Sequence, residues 1–183
     1  MDIGQSVIYP HYGAGEIIEK ERIDLDGETQ EYYVINIHLR QQTVKIPANN
    51  VEEVGVRELT DKKEFYKRLE KVRDFILEEY DAEEGEHPEK IHQQTLKALL
   101  DDVQQGKLDE TMEGLKKLHT RFLDQKLNIT EKRVYDTVQQ FVLGEIMGIE
   151  DCSLEEAEDI LDEYLPQELP EPEPEEEEEE KEE

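Results

Sequence analysis

The hydrophobic period of this chain changes once, near Thr60, from two residues to between three and four. A period of two suits a strand with one covered face and a period of 3.6 suits a helix. The chain must therefore build a sheet first and helices after it, an α+β protein. In Glu31–Arg40 the side chains of Tyr33, Ile35, Ile37 and Leu39 alternate with Tyr32, Val34, Asn36 and His38, which gives one fully apolar face. Ser6–Tyr9 and Thr43–Ile46 are shorter runs of the same kind, the second with Val44 and Ile46 on one side and Lys45 on the other. Asp26-Gly27, after the run Glu16–Ile23, suits a tight hairpin turn because glycine adopts positive φ without steric cost. Pro47 cannot donate to a ladder and belongs at a strand end or a sheet edge. With a last strand at Val54–Arg57, five short strands carrying little apolar material each predict a small, strongly bent barrel over residues 1–60.

Beyond Thr60, Asp61-x-x-Glu64 forms a capping box, and Phe65, Leu69, Val72 and Ile76 follow at helical spacing toward an end near Tyr80. Asp81–His87, acidic and followed by Pro88, reads as a linker over about 81–88. Helical spacing resumes through Ile91, Thr95, Leu99 and Val103 and stops at Gly106. A third helix carries Met112, Leu115, Leu118 and Phe122. A fourth, capped by Thr130, carries Val134, Val138 and Val142. Ser153-x-x-Glu156 boxes a fifth with Leu154, Ala157, Ile160, Leu161 and Tyr164, which completes a helical domain over 61–165. Residues 166–183 contain one hydrophobic residue, Leu169, and six consecutive glutamates. They cannot bury enough surface to offset ordering entropy and are expected to be a disordered acidic tail.

Charge narrows the function. Twenty-one Lys and Arg face 50 Asp and Glu, a net charge of −29, of which 166–183 supplies −10. Such a field repels nucleic acid and anionic lipid, so any DNA contact needs a local basic patch. No apolar run approaches the roughly 20 residues that span a bilayer, and MDIGQSVIYPHYG lacks the basic and apolar regions of a secretory signal. A cytoplasmic protein is expected. A single cysteine, Cys152, excludes an intramolecular disulfide.

No catalytic constellation emerges, and neither a cofactor nor a small-molecule substrate is implied. Gly13-Ala14-Gly15 lacks the third glycine and the helix of a dinucleotide site, and is read as shaping a turn. His87 and His92 are five apart, which does not bring two rings to one helix face, and Cys152 has no cysteine partner for zinc. Neighbouring carboxylates such as Asp101 and Asp102 are commonplace among 50 acids.

The pattern Val7-Ile8-Tyr9-Pro10-His11-Tyr12-Gly13-Ala14-Gly15, then Gln30-Glu31-Tyr32-Tyr33-Val34, Val44-Lys45-Ile46-Pro47-Ala48-Asn49-Asn50 and Val54-Gly55-Val56-Arg57, resembles the CarD-like family of bacterial transcription regulators. That family's N-terminal domain is shared with transcription-repair coupling factors. Gly106-Lys107, Leu127-Asn128-Ile129-Thr130-Glu131-Lys132-Arg133 and Glu155–Leu161 extend the likeness through about residue 165. The resemblance implies a Tudor-like (SH3-like) barrel that adds a strand to the β subunit of RNA polymerase. The matching strand comprises Thr43, Val44, Lys45, Ile46 and Pro47, with Lys45 where the family has a polymerase-contacting base. A second family arginine falls on Arg22 or, one residue later, on Ile23.

The resemblance also implies that the helical domain touches promoter DNA with a tryptophan wedge and basic residues on phosphates. This chain has no tryptophan. Counting back from Gly106 puts His92 at the wedge and Gln94 and Thr95 at basic positions, while Lys97 and Lys132 are retained. Lys116, Lys117, Arg121 and Lys126 form a further basic cluster. The expectation is a non-enzymatic regulator with weakened DNA contact. Its rival is a protein-only adaptor whose acidic helices and tail recruit a basic partner or exclude DNA.

Overall fold

The computed structural model describes residues 1–9, 12–25, 28–39, 42–76 and 93–168. Among the described residues five antiparallel strands come first: β1 (Ser6–Tyr9), β2 (Gly13–Leu25), β3 (Glu28–Ile37), β4 (Gln42–Pro47) and β5 (Arg57–Glu58). Their order is β4-β3-β2-β1-β5, which leaves β4 and β5 as the edges. The alternation read in the sequence sets the faces. Ile35 and Ile37 of β3, Ile46 of β4, Ile17 of β2 and Val7 of β1 share one buried cluster with Val51 and Val56, which lie between β4 and β5. Because side chains from four strands and from the segment joining the two edges meet in one core, the sheet must curl around it. No β4–β5 ladder closes the sheet among the described residues.

β2 is far longer than expected and carries a bulge: Ile17 faces Ile35 and Glu19 faces Val34, so Ile18 has no partner. Such an extra residue increases local twist. The last strand is shorter than the expected Val54–Arg57, because residues 51–55 are taken up in turns. The Asp26-Gly27 turn lies outside the described residues.

Among the described residues five helices follow: α1 (Lys62–Asp74), α2 (Gln93–Gln104), α3 (Leu108–Leu123), α4 (Ile129–Glu150) and α5 (Leu154–Tyr164). Asp61 caps α1 by accepting from the Glu64 backbone N–H, and Ser153 with Glu156 forms a full capping box on α5. The cap of α4 is Asn128, not Thr130; its side chain accepts from the Thr130 and Glu131 backbones while Glu131 returns a bond to the Asn128 N–H. Phe65, Leu69, Val72 and Ile76 of the α1 region enter one core with Met112, Leu115, Leu118, Val134, Val138 and Val142. On α2 the inward stripe is Leu96 and Val103 with Leu99 and Leu100 beside it; Thr95 is exposed. The expected helix end near Tyr80, the 81–88 linker, Ile91 and His92 lie outside the described residues.

The described chain continues to Glu168, three residues into the span expected to be a tail. Leu165 is buried, and the Pro166 carbonyl accepts from His119 Nε2 at 2.8 Å while the Tyr135 hydroxyl donates to His119 Nδ1 at 2.5 Å. Truncation after Glu168 is therefore expected to leave the melting temperature unchanged. Truncation after Leu165 orphans a buried donor and should cost about 1–3 kcal/mol, measured by urea denaturation. Burial lowers the His119 pKa, so the unfolded chain binds the extra proton more readily. Stability should then fall as pH drops below 6.5, the imidazole's ordinary value.

Candidate functional site

Edge strand β4 pairs with β3 alone, through Val34↔Lys45, Ile35↔Val44 and Tyr33↔Ile46. Its other side pairs with nothing among the described residues. Period-two alternation turns Ile46 inward, leaves Val44 packed at the margin of the core, and exposes Thr43 and Lys45. Pro47 ends the strand, as its missing donor requires. Lys45 is half exposed and ion-pairs with Glu21 of β2; that hydrogen bond, chiefly, raises its pKa. The pair is solvent-facing, so its breakage costs little and the ammonium remains available to a partner.

Arg22 is 76% exposed and lies 3.6 Å from Glu31, its cross-strand neighbour. Register places it on the opposite face from Lys45: Lys45 lies across from Val34 and Val34 across from Glu19, whereas Arg22 faces Glu31. It also lies beyond the end of β4, where Pro47 faces Tyr32. The structure thus does not gather Arg22 and Lys45 into one patch.

On the helices, Lys97 projects from the exposed side of α2 and Lys132 from the first turn of α4. The basic cluster on α3 is largely spent internally. Arg121 is buried and bonds Glu131, itself fully buried, at 3.1 Å; Lys126 pairs with Asp124; Lys116 pairs with Glu113 and sits 4.3 Å over the Phe75 ring. Of the four, Lys117 alone has no ion pair among the described residues.

Sequence reasoning missed the contact that joins sheet to helices. Arg57 of β5 forms a forked pair with Glu145 of α4, Nη1 to Oε1 at 3.1 Å and Nη2 to Oε2 at 2.9 Å, and its Nε donates to the Gly106 carbonyl at 3.0 Å. Glu145, 3% exposed, also accepts from the Thr60 backbone N–H at 2.9 Å. Beside it Gly144 lies so close to Ala14 that a Cβ would come within 3.3 Å of the Ala14 nitrogen, and Gly148 meets Leu59 in the same way. The available signal was Glu145 itself, a charge within the apolar run Val142–Ile146. Among the described residues no group of three His, Cys, Asp or Glu side chains is placed to hold a metal, and no helix is long and apolar enough to cross a membrane.

An open strand edge and exposed bases on a rigidly docked helical unit are surfaces for binding macromolecules. Sequence comparison agrees with that class. The family model described as CarD-like/TRCF RID domain matches residues 1–60, and that of CarD, C-terminal domain matches residues 76–162. The chain is also 27% identical over 145 residues to "Putative transcription factor YdeB" of Bacillus subtilis (strain 168), covering 79% of this chain and 88% of that one. The chain belongs to the CarD-like family of transcription regulators.

Proposed function

We propose that the chain docks on the β subunit of RNA polymerase by adding the outer edge of β4 to a polymerase strand, and that it modulates promoter opening through weak DNA contact by its helices. On this reading residues 1–60 form the Tudor-like barrel, 61–165 the DNA-facing helical domain, and the remainder an acidic tail. The single observation that carries it is the unpaired edge of β4, with Thr43 and Lys45 exposed and Val44 and Ile46 turned inward. Such an edge offers free backbone donors and acceptors, and a protruding base adds selectivity. Its test is binding to the isolated β lobe. Lys45→Glu is expected to weaken binding about tenfold or more through charge reversal at the joint. Lys45→Gln should have a smaller effect, and it controls for repulsion between a new carboxylate and Glu21. Wild-type affinity in Lys45→Glu would show that β4 is not the docking strand.

A second reading, the protein-only adaptor, draws support from the helices themselves, because Arg121, Lys116 and Lys126 are engaged by acids of the same chain. Open-complex lifetime with and without the protein separates the two: an unchanged lifetime despite polymerase binding favours the adaptor.

A further inference from the structure

We propose that Glu21 of β2 is a latch that draws Lys45 back across the sheet and restrains docking at the β4 edge until a partner's carboxylate takes the ammonium over. The inference rests on the docking reading above and adds to it a regulator within the chain. Lys45 does not pair with a direct neighbour. Its cross-strand partner on β3 is Val34, and Val34 in turn faces Glu19 of β2, so Glu21 lies diagonally across on the third strand in. Neighbouring strands lie about 4.8 Å apart. To reach Glu21 the lysine therefore extends inward over β3, away from the open side of β4.

Val34 marks the path of that side chain. It is 4% exposed yet belongs to neither buried cluster, because it points to the opposite face from Ile35 and Ile37. Its flanking residues Ile18, Glu19 and Lys45 are themselves exposed, so no helix roofs it. The cover that fits is the apolar stem of Lys45, laid over β3 while the charged end reaches Glu21. The latched lysine thus gains contact as well as charge pairing, and an incoming strand must displace both.

Charge on this face acts in the same direction. Glu19 is exposed and has no ion pair among the described residues. The Lys45 pKa is raised, chiefly through the Glu21 hydrogen bond, with the charges of Glu21 and Glu19 adding to it. An acidic partner approaching the β4 edge meets a base that two acids of its own chain already hold, and association is slowed accordingly. Both groups of the pair face solvent, and such pairs exchange readily. A partner strand with a carboxylate opposite Lys45 can replace Glu21, whereas a strand without one leaves the lysine folded back. The latch thereby selects an acid-bearing strand.

The test uses the full-length protein. Acylation of Lys45 by an N-hydroxysuccinimide ester, read by peptide mass spectrometry, reports the latch without any partner; Lys71, exposed and with no ion pair among the described residues, is the internal reference. Glu21→Gln is expected to speed labelling of Lys45 relative to Lys71, because loss of the carboxylate leaves more of the amine unprotonated. Against the isolated β lobe, Glu21→Gln should bind about two- to fivefold more tightly through faster association, and should have no effect in a Lys45→Gln background. Unchanged labelling of Lys45, or an equal gain in affinity in both backgrounds, would overturn the latch. So would wild-type affinity in Glu21→Gln beside a Lys45→Gln that binds more weakly, a result that leaves the docking reading standing. If Lys45→Gln and Lys45→Glu both bind as wild type does, the docking reading falls, and the restraint on it with it. Both side chains face solvent, so every variant should melt as the wild type does.

Discussion

Glu145→Ala is expected to destabilise the protein by about 3–5 kcal/mol, the range for removing one partner from a buried ion pair. The carboxylate holds three groups at once: both Arg57 terminal nitrogens and the Thr60 backbone N–H. Alanine leaves the guanidinium partly buried with only the Gly106 and Glu58 carbonyls to accept from it, and orphans the Thr60 donor. Arg57→Ala strands the opposite charge in a site where Glu145 is 3% exposed, so its cost should be comparable. The double variant should cost much less than the two together, because neither charge is then left alone. Urea denaturation of the four proteins gives the coupling directly; a single-variant loss below about 1 kcal/mol would mean that apolar contact alone docks the sheet on α4. On the proposed reading that contact also matters for function, since a polymerase-docking β4 edge and a DNA-facing helical domain can act together only if the sheet and helices keep one geometry.

Phe65→Ala should cost about 3–5 kcal/mol, the usual loss for emptying an aromatic site in a core. Phe65 is fully buried on α1, edge-on to Tyr66 with ring centroids 5.5 Å apart, and packs in the same cluster as Leu115, Leu118 and Val138. Collapse around the vacancy is restrained. Asp61 caps α1, and the Tyr66 hydroxyl donates to Glu150 at 2.7 Å, so the helix is held from two sides. Lys67→Ala, on the exposed side of the same helix, should leave stability within about 0.5 kcal/mol. Thermal melting of both variants checks the assignment: similar losses would mean that the buried stripe has been misplaced.

Local patterns made much of the fold legible in advance. β1 runs over Ser6–Tyr9 as read, the β3 alternation delivers Ile35 and Ile37 to the core, and the Asp61 cap and Ser153–Glu156 box start their helices where expected. These signals were readable because strand alternation and helix capping are settled by residues within a few positions of one another. Where two local choices competed, the reading slipped. Asn128 rather than Thr130 caps α4, because only Asn128 can exchange bonds with Glu131 three residues on. Leu96 rather than Thr95 turns inward on α2, since the helix rotates to bury its leucines.

For the candidate sites, the sequence determined that Thr43 and Lys45 share one face of a strand while Val44 and Ile46 share the other, a consequence of the two-residue repeat alone. Only the tertiary structure decided that this strand lies at an edge, because strand order depends on pairings between distant segments. It likewise decided that Arg22 faces away from Lys45, that Arg121 is consumed by Glu131, and that Gly15 serves close packing rather than a turn. A Cβ on Gly15 would lie 2.6 Å from the Asn36 carbonyl, whereas Gly13 does sit at a turn with φ of +90°. The pair that joins sheet to helices, Arg57 and Glu145, spans 88 residues. A charge placed in an apolar run marks a need for a partner, but its identity follows only from which surfaces the folded chain brings into contact.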